Sequence, residues 1–170
     1  MDNLTHTLIG LNMAQAGLSR RYGKGTALIM AVASNLPDLD GVAMLYPHWD
    51  AILYRRLFTH SVIGLPILAL AGGFVFSRVY RRFTFGGAAA LCLLAMAAHV
   101  FFDWINSFGV VFLYPFSMRR FELAWVFIID LVLWALLLAP WAAGLIKRTR
   151  PRLETACRLS LTAVVGYVVL

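Results

Sequence analysis

Charged residues are scarce in this sequence, and their scarcity excludes an ordinary soluble domain. Only 14% of the 170 residues are Asp, Glu, Lys or Arg, whereas 61% are hydrophobic and the mean hydropathy is +0.78. Soluble domains carry about 25% charged residues, and a chain this apolar would leave apolar side chains over most of its surface. The composition therefore predicts a protein embedded in a bilayer.

Cysteine is also rare. Cys92 and Cys157 both fall inside apolar stretches, and no Cys-x-x-Cys spacing occurs. A disulfide framework and a thiolate zinc site are therefore not indicated, and both residues are predicted to be small core residues. The first ten residues lack a basic region and a small-residue cleavage site, so we expect no removable signal peptide.

Basic residues outnumber acidic ones, with a net charge of +7, but they are spread in short clusters between apolar segments. A nucleic-acid-binding protein usually gathers them on one soluble face. Clusters beside apolar segments are typical of loops that flank a membrane and contact anionic headgroups. We therefore expect membrane lipids as partners and no nucleic acid.

Long apolar segments alternate with short polar ones, and no period-two strand pattern is seen. Crossing a hydrocarbon core of about 30 Å needs roughly 20 apolar residues in a helix. We predict one all-α domain over residues 1–170, a polytopic helical membrane protein of about six helices. The predicted spans are 61–79, 86–105 and 122–146, with a shorter helix at 154–170 and short or partly re-entrant helices at 5–18 and 26–46.

The basic clusters predict an orientation. Following the chain up and down places ten of the fifteen Lys and Arg residues on one face, which the positive-inside rule makes cytoplasmic. The N-terminus and the loops 41–60 and 106–121 are then outside. The ten residues are Arg20, Arg21, Lys24, Arg78, Arg81, Arg82, Lys147, Arg148, Arg150 and Arg152.

Ionisable residues inside apolar segments are costly in a bilayer and by default mark a functional site. In this topology six of them fall at the same outer end, and His99 and Asp103, four residues apart, share one helix face. Imidazole nitrogen and carboxylate oxygen together suit zinc, manganese or iron. We predict a site for one or two divalent transition metal ions, zinc in the first place. The predicted ligands are His6, Asp38, Asp40, His60, His99 and Asp103.

Several of these residues also fit structural roles. His6 and His60 stand near predicted helix ends and would satisfy them, and the spacing of Asp38 and Asp40 is common in caps and turns. Two such groups on one face of 86–105 are harder to explain in this way. Carboxylates that are not ligands would serve as a general base. The predicted catalytic residues are Asp38, Asp40 and Asp103.

Other polar residues leave alternatives open. Two arginine pairs lie on the less basic side, where they suit a phosphate or, equally, snorkel to the headgroups. Asp130, about two turns into the predicted helix 122–146, is a ligand, a partner of a histidine or a counter-ion. His48 is interpreted as an interfacial loop residue. The predicted substrate-binding residues are Arg55, Arg56, Arg119, Arg120 and Asn106, the last also a candidate helix cap.

Four motifs carry a family resemblance: DNLTHTLIG at 2–10, SNLPDLD at 34–40, RLFTHSVIG at 56–64 and HVFFDWINSFG at 99–109. Together they resemble the membrane-bound metal-dependent hydrolases of the YdjM type, described as LexA-regulated proteins of the bacterial inner membrane. The order of His and Asp more distantly resembles the zinc-dependent phospholipase C and P1 nuclease group, which implies a helical core of that kind and the ligand set above. The later histidines of that group have no match after Asp103, so we expect fewer than three metal ions.

The resemblance and the site together predict a membrane-embedded hydrolase that cleaves a phosphoester in a lipid or lipid-linked substrate by metal-activated water, near the periplasmic face. One alternative is a non-enzymatic membrane protein with a structural metal site or a partner-binding role. A transporter ranks last, because the ionisable residues stop at one end of the helices.

Overall fold

Seven α-helices form within residues 1–45, 55–146 and 150–169, which are the ranges that the computed structural model describes. His48, Lys147 and Arg148 lie outside these ranges. A π-helical stretch, Ala14–Leu18, joins the first two helices, and 3-10 helices cover Leu36–Leu45 and Phe58–His60. The helices are α1 (Asn3–Met13), α2 (Ser19–Tyr22), α3 (Thr26–Ala33), α4 (Gly64–Val79), α5 (Phe85–Ile105), α6 (Leu131–Ile146) and α7 (Arg150–Val169).

The predicted all-α class is confirmed for these residues, which contain only two isolated β-bridges and no strand. Six of these helices fall in the six predicted segments, and α2 lies beyond the predicted end of 5–18, after the π-helical stretch. Segment 26–46 is divided. α3 ends at Ala33, and the 3-10 helix that follows contains Pro37, whose missing N–H cannot continue an α-helix.

α4 and α5 form a closely packed hairpin. A Cβ atom at Gly73 would lie 2.6 Å from the Cα atom of Ala89, so the two backbones touch where neither has a side chain larger than methyl. Beside this contact Ile29, Met30 and Met96 are fully buried in a core shared with α3. α5 is thereby held between α3 and α4.

Gly73→Ala is expected to lower the melting temperature, although alanine is the better helix former by about 1 kcal/mol. The added methyl group would meet the backbone of Ala89, and such overpacking costs typically about 1–3 kcal/mol. Gly166→Ala in α7 is the matched control, because nothing lies within 4 Å of its Cβ position. Thermal melts of both proteins in one detergent would test this, and equal melting temperatures would contradict the close contact.

A second core packs α1, α6 and α7 against the end of α5, with Ile105, Leu133 and Leu137 completely buried.

Cys92 and Cys157 are also buried, and both are free thiols. The prediction that they are core residues is confirmed.

Among the described helices, only α5 is both long enough and apolar enough to cross a membrane. Gly64–Val79 and Leu131–Gly144 are apolar but shorter. Half of the best window of α5 is buried inside the protein, and the core helix of a soluble protein meets the same criterion of length and composition. The polytopic arrangement therefore stays a prediction.

The predicted helix 122–146 begins nine residues later, at Leu131. The preceding segment is instead bonded to the end of α5: the amide of Leu123 donates to the carbonyl of Trp104 (3.0 Å), and that of Trp125 donates to Ile105 (2.8 Å). The last carbonyls of a helix have no partner within it, and these amides satisfy them. Hydrophobicity alone did not distinguish this non-helical segment from a helix.

Asp130 caps α6 rather than lying inside a helix, so its predicted place two turns into a helix is wrong. Its Oδ1 accepts hydrogen bonds from the amides of Val132 (3.0 Å) and Leu133 (3.1 Å), and its Oδ2 accepts one from the hydroxyl of Tyr167 (3.0 Å). Asp130 therefore joins the start of α6 to α7.

Candidate metal centre

The C-terminal part of α5 carries a histidine and an aspartate that are both buried. The Nε2 atom of His99 lies 3.3 Å from Oδ2 of Asp103, one turn further along the helix. His60 reaches the same carboxylate from the 3-10 turn before α4, with its Nε2 3.2 Å from Oδ2 of Asp103 and 3.1 Å from Nε2 of His99. With Asp38 these residues form a group whose candidate ligand atoms all lie within 4.8 Å of one another.

The His60 turn depends on a glycine. The amide of Gly64 donates to Oγ of Ser61 (2.9 Å), and a Cβ atom on Gly64 would lie 1.7 Å from the carbonyl oxygen of Phe58. Any side chain at position 64 would push the turn and α4 apart. The glycine that ends the RLFTHSVIG motif thus allows His60 to enter the cluster.

Hydrogen bonds hold both rings with Nε2 toward the cluster. Nδ1 of His99 lies 2.6 Å from the carbonyl oxygen of Ser34, which can only accept, so Nδ1 carries the hydrogen and Nε2 the lone pair. Nδ1 of His60 lies 2.9 Å from the Thr59 hydroxyl, whose own hydrogen points to Oδ2 of Asp40 (3.0 Å). Burial also lowers the pKa of His60, which favours the neutral imidazole that binds metals.

The two acids of the SNLPDLD motif have different surroundings. Oδ1 of Asp38 lies 3.9 Å from Nε2 of His99, inside the four-residue group. Asp40 lies behind His60 and accepts hydrogen bonds from Thr59 and from the amide of Arg56 (2.6 Å). Within the described chain, Oδ2 of Asp38 and Oδ1 of Asp40 are buried without a hydrogen-bond partner. Buried carboxylate oxygens that lack a donor fit a cation nearby.

His6 enters from α1 and completes the set of six. Its ring stacks on that of His99 with centroids 3.6 Å apart, and its Nε2 lies 3.3 Å from Oδ1 of Asp103. Both ring nitrogens are buried, and neither has a hydrogen-bond partner in the described residues. All six predicted ligands therefore lie together, with His6 and Asp40 beside the four-residue group. The ligand role of each stays a prediction.

Two imidazoles and two carboxylates fit a divalent metal ion. Zinc is commonly held by four such donors, and manganese or iron also accept nitrogen with carboxylate oxygen. His60 and His99 are each 1% exposed and Asp103 is fully buried, so few water molecules can compete for these atoms. The group can hold one divalent ion, and nothing in its geometry selects between these metals.

The four predicted substrate-binding arginines differ in exposure and in their contacts with the cluster. Arg56 is only 4% exposed, and its Nη2 lies 2.8 Å from Oδ1 of Asp103. Its guanidinium packs on the Phe108 ring at 4.8 Å, and that of Arg120 packs on the same ring at 4.8 Å. Arg55 approaches Oδ1 of Asp38 at 3.3 Å, and Arg119 is exposed.

Asn106 is fully buried and connects Asp103 to the following loop. Its amide nitrogen donates to Oδ1 of Asp103 (3.1 Å), and its Oδ1 accepts from the amide of Phe108 (2.7 Å). These contacts position Asp103. The substrate-binding role of Asn106 stays a prediction, as do those of Arg55, Arg56, Arg119 and Arg120.

Sequence reasoning missed three contacts at this site. The hydroxyl of Thr59 was readable only as a neighbour of His60, and Ser34 contributes a backbone carbonyl that leaves no sequence signal. The α-amino nitrogen of Met1 contacts Oδ1 of Asp103, which no motif indicated.

Comparison with known proteins agrees with the resemblance seen in the motifs. YfhP of Bacillus subtilis (strain 168) is 29% identical over an alignment of 126 residues, and the alignment covers 70% of this chain but only 38% of YfhP. No solved structure matches the chain, so the more distant resemblance to phospholipase C and P1 nuclease stays a prediction. The family model of the YdjM inner membrane protein matches residues 1–170, and the chain therefore belongs to the YdjM inner membrane protein family.

Proposed function

We propose that this protein is a metal-dependent hydrolase of the inner membrane that cleaves a phosphoester in a lipid or lipid-linked substrate. The observation that carries the proposal is the buried group of Asp38, His60, His99 and Asp103, in which both imidazoles direct Nε2 to one carboxylate. Preorganised donors of this kind are what metal-assisted hydrolysis requires.

A divalent ion bound by these residues would lower the pKa of water toward about 7 and offset charge on a phosphoryl oxygen. His60, His99 and Asp103 would hold it, since their side chains are completely enclosed. Asp40 would keep the His60 ring oriented through the Thr59 hydroxyl. His6 would pack against His99 and limit its rotation.

Asp38 is the proposed general base. One of its oxygens contacts Arg55, while the other is buried without a hydrogen-bond partner in the described chain and would accept a proton from a water held by the ion. The Arg55 side chain is 25% exposed, so it can also meet a phosphate that approaches from outside.

Exposed apolar side chains near the cluster support a lipid substrate. Leu39, between the two acids, is 57% exposed, and Phe116, Phe127 and Ile129 on the loop after α5 are 84%, 76% and 58% exposed. Clusters of exposed apolar side chains commonly mark membrane or ligand contacts. Such side chains would favour a substrate that lies in the bilayer.

A structural metal site is the second candidate, and the burial of the cluster favours it. A closed site with four protein ligands and no position for water ties segments together and does no chemistry. The four residues belong to the 3-10 helix Leu36–Leu45, the His60 turn and α5, which such an ion would join.

A turnover assay distinguishes the hydrolase from the structural metal site. Metal-loaded protein in detergent would be assayed for phosphate release or headgroup release from phospholipids, polyprenyl phosphates and bis(p-nitrophenyl) phosphate. We expect turnover in the parent and none in His99→Ala. Asp38→Asn should retain most of the metal but lose activity at least about a hundredfold, because an amide cannot accept the proton.

Arg78→Gln is the control, because this side chain is exposed, lies over the Phe74 ring and is not among the predicted substrate-binding residues. It should keep nearly full activity. A parent that binds metal and turns over none of these compounds would contradict the hydrolase and leave the structural site.

A further inference from the structure

A groove separate from the metal centre lies where the π-helical stretch, α5 and α7 meet. It has a volume of about 450 Å³, within the range of small-molecule sites of about 300–1,000 Å³. Met13, Leu94 and Leu161 give it an apolar wall, and Arg20, Arg21 and Arg158 give it basic edges. The groove therefore has the character of an amphiphile site, with an apolar part and a cationic part.

The basic edge has more positive charge than its own contacts neutralise. Glu154 is shared by Arg20, at 3.5 Å, and Arg158. Three guanidiniums and this one carboxylate leave two positive charges in excess at the groove. The Arg20 side chain is 76% exposed, so its donors can reach a ligand.

The backbone at the groove departs from a regular α-helix. Gly17 has φ +146°, which residues with a side chain rarely adopt, and a Cβ there would lie 3.2 Å from Nη2 of Arg158. Arg158 also donates through Nε to the carbonyl of Ala16 (2.7 Å). The π-helical stretch and Gly17 thus hold Arg158 at the groove, and such stretches are frequent at functional sites.

We propose that this groove binds an anionic phospholipid, with the phosphate paired to Arg20 and Arg21 and an acyl chain packed on Met13, Leu94 and Leu161. The excess of two positive charges complements a headgroup phosphate, and the apolar wall complements a hydrocarbon chain. None of the residues that line the groove belongs to the group of Asp38, His60, His99 and Asp103. The lipid is therefore a bound partner and not the substrate of the metal centre.

Native mass spectrometry of the full chain in mild detergent tests the proposal with dioleoylphosphatidylglycerol, dioleoylphosphatidylcholine and inorganic phosphate as probes. Phosphatidylglycerol should bind more tightly than phosphatidylcholine, and phosphate alone should neither bind nor displace it. In the Arg20→Gln, Arg21→Gln double variant, phosphatidylglycerol affinity should fall about tenfold. Both side chains are exposed, so this variant should fold.

Arg78→Gln, Arg81→Gln is the matched control, with the same charge change in another basic cluster on the same predicted side of the membrane. It should change the affinity less than about twofold. Equal losses in the two double variants would overturn the proposal in favour of general charge attraction, and displacement by phosphate would overturn it in favour of a free anion.

Glu154→Gln gives a test in the opposite direction. Removal of this carboxylate raises the excess positive charge at the groove, so phosphatidylglycerol affinity should increase severalfold. A decrease would contradict the charge argument. None of these measurements depends on hydrolytic activity.

Discussion

Replacing His60 and His99 with alanine is expected to reduce the bound transition metal from one or two ions per chain to almost none. The change removes the two nitrogens that face Asp103 at 3.2 and 3.3 Å and leaves only carboxylates in the group. Two carboxylates in a buried site bind zinc far more weakly than the mixed set. Inductively coupled plasma mass spectrometry of both proteins, purified without chelator, would measure the loss.

Asp130→Asn is the control for a general effect of altering a buried polar residue. Asp130 is 4% exposed and caps α6, and asparagine caps a helix about as well as aspartate, so this variant should fold. This variant should keep its metal. Melting curves with and without chelator would show whether the double variant is folded and has lost the stabilisation that metal gives the parent. A parent without metal, even after reloading, would refute both candidate functions.

Replacing Arg56 with methionine is expected to destabilise the protein by about 3 kcal/mol. Its guanidinium lies 2.8 Å from Oδ1 of Asp103, both groups are buried, and methionine would leave that oxygen with less compensating charge. The packing of Arg56 on the Phe108 ring would also be lost. The melting temperature should fall by several degrees, and metal affinity should change because Asp103 is a predicted ligand.

Arg56→Lys should lie between the parent and the methionine variant. Lysine keeps the charge but lacks the planar fork that reaches both Asp103 and the oxygen of Asn106. Arg119→Met provides the comparison at an exposed position and should melt within about one degree of the parent. A stable Arg56→Met protein would mean that Asp103 is compensated without Arg56.

The sequence was sufficient for those parts of the fold and site that depend on local spacing. His99 and Asp103 share a face because four residues make about one helical turn, and that inference needs no knowledge of the rest of the chain. The outer-end grouping of His6, Asp38 and His60 followed from the lengths of apolar segments and the positions of basic clusters. Their meeting in the structure agrees with that grouping.

Other parts of the fold and site depend on contacts between distant residues, which local sequence patterns do not predict. The segment before Leu131 is as apolar as a helix, yet its amides bond to the end of α5, which is a contact between distant parts of the chain. Asp130 was placed inside a helix for the same reason. Arg56 was predicted to bind a phosphate or, equally, to snorkel, because of its place on the less basic side. Its pairing with Asp103 is visible only in the folded chain.

The sequence by itself determined the helical class, the family and the six residues that approach one another, because apolar length, helical period and motif are properties of short stretches. Only the tertiary structure decided that Asp38 enters the four-residue group while Asp40 supports His60, although the two acids lie two residues apart. Both acids lie in the 3-10 helix Leu36–Leu45. The physical reason is that the direction of each side chain depends on this helix and on its contacts with distant parts of the chain, Thr59 and α5.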